Sequence, residues 1–155
     1  MKDRILHLAI DIGASSGRHI LGYLENGEIK TKEVYRFPNG VKNVGGHFTW
    51  DISSLLSEVK KGIDVALSLY PIKSLSIDTW GVDYVLLNGD KPIEPVYAYR
   101  DHRTDEVIDS VHNIIPFKEL YKRTGIQYQS FNTIYQLFWD SVNNRLSDAT
   151  DFLMI

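Results

Sequence analysis

The sequence predicts an α/β domain with a mixed β-sheet flanked by helices, and three observations support this. Apolar residues in the opening part follow the short, turn-bounded pattern of β-strands, and Asn26-Gly27 marks a tight hairpin between two of them. A long amphipathic helix pattern comes next, and a further strand pattern follows it. The composition is that of an ordinary folded domain: 155 residues, a formal charge of −3 and no cysteine.

The composition also excludes several classes of function. Without cysteine there is no disulfide scaffold, no cysteine-ligated zinc site and no thiol nucleophile. The small excess of acidic residues argues against a general nucleic-acid binder or a protein that binds anionic membranes. No apolar stretch approaches the ~20 residues of a membrane span, and no signal-peptide core follows Met1. We therefore expect a cytoplasmic protein without nucleic-acid or membrane partners.

The opening of the chain is predicted to be a meander of antiparallel strands. Apolar stretches predict strands over residues 6–12, 19–24 and 29–37, and a tight turn at 44–47 precedes a short strand at 48–50. From 51 to 70 apolar residues recur at steps of three and four, which predicts a helix of about five turns. Asp51 or Ser53 suits the start of that helix, and Pro71 follows its end.

The rest of the chain alternates between strands and helices. Strands are predicted at 72–78, 82–87, 95–99 and 152–155, and helices at 103–115, 117–123 and 133–142, with Asn132 capping the last helix. A meander followed by a helix, a strand and more helices is the order of ribonuclease-H-like domains, in which acidic residues sit at strand ends. The chain stops inside an apolar run, so we expect an incomplete fold from a longer protein.

The segment Asp11–Arg18, at the junction of the first two strands, has the features of an anion-binding turn. Gly13 and Gly17 favour a sharply bent backbone, and successive N–H groups together with the Ser15 and Ser16 hydroxyls would bind an anion. Asp11 suits a hydrated Mg²⁺. The segment is neither a P-loop nor a Rossmann fingerprint, because the required lysine and glycine spacing are absent. A plain hairpin turn with a capping aspartate explains the same residues.

The segment 78–84 (Asp-Thr-Trp-Gly-Val-Asp-Tyr) places two carboxylates, an indole and a glycine between two apolar strands. Carboxylates accept hydrogen bonds from sugar hydroxyls, and an aromatic face covers the C–H side of a sugar. Asp78 and Asp83 would face opposite ways in an unbroken strand, so Gly81 is expected to introduce a bend. An amphipathic strand with a core tryptophan is the structural alternative.

Two weaker polar sets follow. Residues 99–104 offer two arginines and an aspartate to a polyol, or form an internal salt-bridge knot that caps the next helix. Residues 129–136 mix amides and aromatics at a helix start, where capping and core packing are the common roles. The five histidines have no metal-ligand spacing, and no Gly-x-Ser-x-Gly elbow supports acyl transfer.

Five motifs resemble, in chain order, those of the FGGY carbohydrate kinases. Residues 8–18 resemble the first phosphate segment of that family, in the Gly-Ala-Ser-Ser-Gly-Arg form typical of its rhamnulokinase branch. Residues 78–87 are similar to the sugar segment of the same branch, more than to that of glycerol or xylulose kinases. The stretches 98–104, 125–127 and 131–137 match as well, so the resemblance spans nearly the whole chain.

The resemblance implies a fold and a reaction. Family members have two ribonuclease-H-like (actin/hexokinase-type) domains, with sugar bound in the first and nucleotide in the cleft between them. The rhamnulokinase branch implies transfer of the ATP γ-phosphoryl group to the 1-hydroxyl of L-rhamnulose, with Mg²⁺. On this pattern the residues that contact the ATP phosphates are Ala14, Ser15, Ser16, Gly17 and Arg18. Gly81 contacts the sugar through its backbone, and its neighbours in the sugar pocket are Trp80, Asp83, Asp101 and Asn132. Asp11 would position the metal through water.

The resemblance also implies that residues 1–155 are the amino-terminal part of the first domain, its sugar-binding half. The catalytic Asp of the family and the second domain would lie beyond Ile155, so this chain alone is expected to be inactive. Two other functions fit the residues. A non-catalytic sugar-binding or regulatory domain needs no base, and a ribonuclease-H-like two-metal nuclease would pair Asp11 with Asp78 or Asp83.

Overall fold

A computed structural model of the chain describes residues 5–155, which divide into two compact units. The first unit holds the chain up to Gly40 and Asp51–Trp80, and the second holds Val41–Trp50 and Gly81–Ile155. Met1–Arg4, which open the segment predicted to lack a signal-peptide core, lie outside the described residues. Among the helices of residues 5–155, none has the length and apolar character needed to cross a membrane.

The elements follow one another along the described chain in an alternating order. They are β1 (Leu6–Ile12), β2 (Ser16–Glu25), β3 (Glu28–Pro38), β4 (Lys42–Val44), β5 (His47–Trp50), α1 (Ile52–Leu69), β6 (Ile72–Asp78), β7 (Tyr84–Asn88), β8 (Lys91–Pro92), β9 (Val96–Tyr97), a 3-10 helix (His102–Glu106), α2 (Ile108–Ile114), α3 (Phe117–Thr124), α4 (Thr133–Val142) and β10 (Asp151–Met154).

The first unit contains a four-stranded mixed sheet in the order β3-β2-β1-β6. The strands β1, β2 and β3 form an antiparallel meander, and β6 runs parallel to β1 after the crossover through α1. This confirms the predicted meander, helix and mixed sheet. Alternate residues of β1 (Leu8, Ile10 and Ile12) are buried against α1, as the period of two for a half-buried strand requires.

The helix α1 begins where the sequence predicts. The Asp51 side chain caps it by accepting a hydrogen bond from the Ser54 backbone N–H at 2.9 Å. Val59 and Ala66 lie two turns apart on the buried face of the helix and belong to the core of the first unit. The helix ends at Leu69, one residue before Tyr70 and two before Pro71.

The turn between β1 and β2 is shorter than predicted, because β2 begins at Ser16 and not at residue 19. Neither Gly13 nor Gly17 has a positive φ angle, and Gly17 lies within β2. The predicted close approach of this backbone to an anion stays a prediction. Gly17 is small for another reason: a Cβ atom there would lie 2.1 Å from the Phe37 ring on β3. The glycine therefore leaves space for a buried aromatic ring.

The second unit contains two small antiparallel sheets with the later helices. The sheet orders are β10-β7-β8 and β4-β5-β9. Its helical core joins α2 to α4 through four buried residues: Val107, Val111, Tyr135 and Trp139. The predicted terminal strand is present as β10, and it pairs with β7 along its full length.

Two predictions in the second unit are wrong in detail. The residues predicted as one helix at 103–115 form a 3-10 helix followed by α2, and Val107 joins the two through bonds to Thr104 and Val111. The Asp101 side chain caps the start of the 3-10 helix by accepting a hydrogen bond from the Arg103 N–H. The strand predicted at 95–99 is shorter in the structure, where β9 covers Val96–Tyr97. The hairpin partner of β7 is instead β8, directly after the turn at Gly89.

Candidate functional site

The turn between β1 and β2 is braced against the end of β3. The Gly13 N–H donates to the Ser16 carbonyl at 2.9 Å, which closes the hairpin. The Asn39 side chain donates to the Gly13 carbonyl at 2.9 Å, and the Asn39 N–H donates to the Ser15 carbonyl at 3.0 Å. The tip of the turn, at Ala14 and Ser15, is therefore held in place, and Ser15 is exposed.

Four charged residues lie side by side on neighbouring strands next to this turn, and we call them the charged row. Arg36 on β3 is the register partner of Arg18 on β2, Arg18 is the partner of Asp11 on β1, and Asp11 is the partner of Asp78 on β6. Register partners project to the same face of a sheet. This face lies opposite α1, because the neighbours of Asp11 in β1 are buried on the helix side.

The charged row contains an exposed ion pair that a bound anion could replace. Arg18 and Asp11 form an ion pair, and their side chains are 41% and 42% exposed. Exposed pairs of this kind contribute at most about 1 kcal/mol, so Arg18 can exchange Asp11 for another anion at small cost. The Glu33 carboxylate, bonded to Arg36, raises the pKa of that guanidinium above its usual range, and the Asp11 charge adds to the effect.

The charged row fits a magnesium-bound polyphosphate. Guanidinium groups match phosphate oxygens, and Mg²⁺ on a nucleotide needs only one or two protein carboxylates, held directly or through water. Asp11 and Asp78 supply two carboxylates on adjacent parallel strands, at the end where β1 and β6 both stop. Within residues 5–155 no group of three or more His, Asp or Glu side chains has the arrangement of a complete metal site.

The backbone between β6 and β7 has an unusual conformation at the predicted sugar segment. Gly81 has φ 71° and Val82 has φ 62°, so two successive residues are left-handed. This confirms the predicted bend at Gly81. A Cβ atom at position 81 would meet no other atom within 4 Å, so the backbone of Gly81 borders open space. A ligand can therefore approach this peptide closely.

Asp83 is fully buried and is bonded to protein groups. Its Oδ2 accepts a hydrogen bond from Trp50 Nε1 at 2.6 Å, and its Oδ1 accepts one from Gln136 Nε2 at 3.3 Å. A carboxylate at 0% exposure with these partners supports the chain next to Gly81. The place of Asp83 among the residues of a sugar pocket stays a prediction.

Asp101 is also buried, at 6% exposure, and it organises the start of the 3-10 helix. Its Oδ1 accepts from the Arg103 N–H at 3.0 Å, and its Oδ2 accepts from the Phe48 N–H at 2.7 Å. His47 Nδ1 lies 3.1 Å from Oδ1. These contacts match the salt-bridge and capping alternative for residues 99–104, and Asp101 has a supporting position like that of Asp83.

The remaining two sugar candidates lie in different units. Trp80 is half-buried and packs against the core of the first unit, as the core-tryptophan alternative predicts. Asn132 stands at the N-cap position of α4, but its side chain donates to the Gln127 carbonyl at 2.9 Å and makes no cap bond. Asn132 and Val82 line a mostly apolar cavity of about 220 Å³ in the second unit.

Several residues that shape these sites escape a reading of the sequence. Arg36 stands opposite Arg18 only because a bulge between His19 and Ile20 shifts the β2–β3 register by one residue. Counting back from the Asn26-Gly27 turn without the bulge puts Tyr35 there. Gln136 belongs to the polar set at 129–136, but its contacts with Val82 and Asp83, more than 50 positions earlier in the chain, have no local signal.

Comparisons with known proteins show the family of the chain. The model of the N-terminal domain of the FGGY family of carbohydrate kinases matches residues 6–155. The chain belongs to this family. The FGGY chain is 46% identical over 153 residues to a rhamnulokinase of Oceanobacillus iheyensis, covering 96% of this chain and 33% of the relative. It is 43% identical over 154 residues to a rhamnulokinase of Bacillus subtilis, covering 97% and 31%. The chain thus spans about a third of the length of these curated relatives.

Solved structures of other FGGY kinases show the same fold. A gluconate kinase from Lactobacillus acidophilus superposes with a TM-score of 0.78 at 18% identity, covering 97% of this chain and 31% of that one. A xylulose kinase from the same organism gives 0.75 at 19% identity, covering 95% and 31%. The family and the actin/hexokinase-like fold predicted from the sequence are confirmed.

Proposed function

We propose that the chain is the amino-terminal part of a rhamnulokinase, in which it forms the sugar-binding half of the first of two domains. The protein transfers the γ-phosphoryl group of ATP to the 1-hydroxyl of L-rhamnulose in L-rhamnose catabolism, in the cytoplasm. The observation that carries the proposal is the 46% identity to a protein of that name across 96% of this chain. Its partners are ATP and the ketose, without nucleic acid or membrane.

The first unit serves the nucleotide. The braced turn offers the backbone of Ala14 and the hydroxyls of Ser15 and Ser16 to the phosphates, and Gly17 keeps β2 close to β3. Arg18 moves from Asp11 to a phosphate oxygen, a charge-assisted bond stronger than a neutral one. Asp11 would hold Mg²⁺ through water, and the ion would supply neutralisation of the phosphate charge.

The second unit serves the ketose. The Gly81 backbone is open to solvent on its side-chain side, so its polar groups can bond sugar hydroxyls without steric obstruction. Asn132 adds an amide. Trp80 stays a candidate for an apolar contact with the sugar. Asp83 and Asp101 act as buried supports of these segments.

The reaction needs a base that these 155 residues do not supply. Phosphoryl transfer rests on positioning and charge neutralisation, with an aspartate accepting the proton of the attacking hydroxyl. We assign that aspartate to the part of the protein after Ile155. The 155-residue chain alone is accordingly inactive.

The test is a ketose panel assayed with the full-length protein. ADP release is measured with ATP and Mg²⁺ for L-rhamnulose, D-xylulose, L-ribulose and D-fructose, and the product is analysed by 31P NMR. We expect the highest kcat/KM with L-rhamnulose and a phosphate on its 1-hydroxyl. The 155-residue chain assayed in parallel is expected to release no ADP.

Three results would contradict the proposal in different ways. A higher kcat/KM for another ketose would show that the substrate is wrong. Binding of L-rhamnulose without ADP release over a wide range of protein concentrations would favour a non-catalytic sugar-binding domain. Salt-sensitive binding of nucleic acid, with no protection by ATP or ketose, would favour the nuclease alternative.

A further inference from the structure

Val82 has a backbone conformation that its side chain disfavours. A φ angle of 62° is rare for β-branched residues, because their Cβ substituents crowd the backbone in the left-handed region. Glycine would adopt the same angle without strain. Such residues persist only where the surrounding structure holds them, and they concentrate at functional sites. Val82 directly follows Gly81, the open peptide of the sugar segment.

Two side chains from the first turn of α4 hold this peptide. Thr133 Oγ1 donates to the Val82 carbonyl at 2.8 Å, and Gln136 Nε2 donates to the same oxygen at 3.2 Å. We call Thr133 and Gln136 the α4 clamp. One carbonyl oxygen thus accepts two side-chain hydrogen bonds from residues more than 50 positions away. These bonds restrict the conformation of this loop peptide.

Buried bonds fix the orientation of the clamp itself. Arg103 donates to Gln136 Oε1 at 2.7 Å, which directs the Gln136 amide nitrogen towards the loop. That nitrogen also reaches Asp83 Oδ1 at 3.3 Å, while Trp50 donates to Asp83 Oδ2 at 2.6 Å. The residues on the carboxyl side of Gly81 are therefore bonded at both a carbonyl and a side chain, whereas Gly81 borders open space.

We propose that Thr133 and Gln136 are positioning residues, which keep the Gly81-Val82 peptide left-handed so that Gly81 presents its backbone to the ketose. The inference rests on the proposed function for the nature of the ligand. It adds that side chains of α4 fix the backbone conformation of the sugar segment. Without the clamp, the strain at Val82 drives the loop towards other conformations, and the ketose has to select the bound form from a mixture.

The first arm of the test measures the loop without any substrate. Thr133→Val in the full-length protein removes one hydroxyl with almost no change in volume. We expect amide hydrogen exchange at residues 81–83 to accelerate about three- to tenfold, the factor that corresponds to one lost hydrogen bond. Thr133→Ser retains the hydroxyl and is expected to retain slow exchange. Thr124→Val is the matched control, since its hydroxyl donates to the Leu120 carbonyl at 2.9 Å and has no bond to Val82.

The second arm measures kinetics with the same variants. Thr133→Val is expected to raise the KM for the ketose about three- to tenfold, with the KM for ATP and the melting temperature close to wild type. Thr133→Ser restores the wild-type KM, and Thr124→Val leaves it unchanged. Adding Val82→Gly to Thr133→Val relieves the strain and is expected to recover part of the loss.

Each outcome decides a different claim. Unchanged exchange at residues 81–83 in Thr133→Val overturns the clamp, whatever the enzyme assay gives. Faster exchange with an unchanged ketose KM overturns its link to sugar binding. A wild-type protein that phosphorylates no ketose contradicts the proposed function instead, and the exchange arm still decides whether α4 holds the loop.

Discussion

At position 17 the packing of two strands leaves room only for a hydrogen atom. The buried Phe37 ring occupies the place of a side chain, with its Cζ atom 2.1 Å from an ideal Cβ position. Gly22 lies on the same strand, and a Cβ there would meet no atom within 4 Å. The packing therefore requires a glycine at position 17 but not at position 22, and the sequence alone does not show this difference.

Gly17→Ala is expected to destabilise the protein by about 1–3 kcal/mol, because the new methyl group forces Phe37 out of its place. Gly22→Ala is the matched control and should change the free energy of unfolding by less than about 1 kcal/mol. Chemical denaturation of both variants makes the comparison. Equal stabilities would contradict the packing role of Gly17.

The surrounding structure lowers the pKa of the His19 imidazole. Its side chain is fully buried beside Gly62 and the Tyr35 ring, and Nε2 bonds the Val59 carbonyl at 3.0 Å. Burial lowers the pKa of this imidazole below 6.5, and the bond to Val59 offsets part of the effect. The folded protein therefore keeps His19 neutral at a pH where the unfolded chain binds a proton.

This difference predicts the direction of a pH effect on stability. Below pH 6.5 the unfolded state takes up the proton that the folded state resists, so the free energy of unfolding falls as the pH falls. His19→Gln cannot titrate and is expected to show a smaller loss between pH 7.5 and pH 5.5. Urea denaturation at both pH values measures it, and identical slopes for wild type and variant would refute this assignment.

Among the elements, α1 is the one that local signals specify most fully. Its cap, its apolar stripe and the proline after it are all adjacent in sequence, and the structure places its ends within a residue or two of the prediction. The segment after Asp101 shows the opposite case. It is a 3-10 helix up to Glu106 and an α-helix from Ile108, and Arg103 in its first part bonds Gln136 on α4, a partner that no local pattern reveals.

The cap of α1 gives a prediction at this scale. Asp51→Ala removes the bonds to the Ser54 N–H and hydroxyl, at 2.9 and 2.7 Å, and should destabilise the protein by about 1 kcal/mol. Asp64→Ala, at an exposed position within the same helix, should have no such cost. Thermal melting of both variants checks this, and a cost shared by both would point to charge and not to capping.

For the molecule as a whole, the sequence singles out the two segments that we propose to bind ATP and the ketose, but not the contacts of each residue in them. The Gly81 bend and the meander follow from local patterns, and the structure contains both. The buried positions of Asp83 and Asp101 depend on partners far away in the chain, such as Trp50 and Phe48. Residue type alone cannot tell a carboxylate that binds a ligand from one that supports a loop.

The central claim is that two segments bind different substrates: the turn at Ala14–Arg18 binds ATP, and Gly81 binds the ketose. The direct measurement is steady-state kinetics of the full-length protein with Arg18→Met and Gly81→Ala, varying each substrate in turn. Arg18→Met should raise the KM for ATP about tenfold or more, as expected for a lost charge-assisted bond, and leave the KM for L-rhamnulose near wild type. Gly81→Ala should do the reverse, because its methyl group enters the open space beside the peptide and strains φ 71°. If both variants altered the same KM, or only the melting temperature, the assignment of ATP and the ketose to these two segments would be wrong.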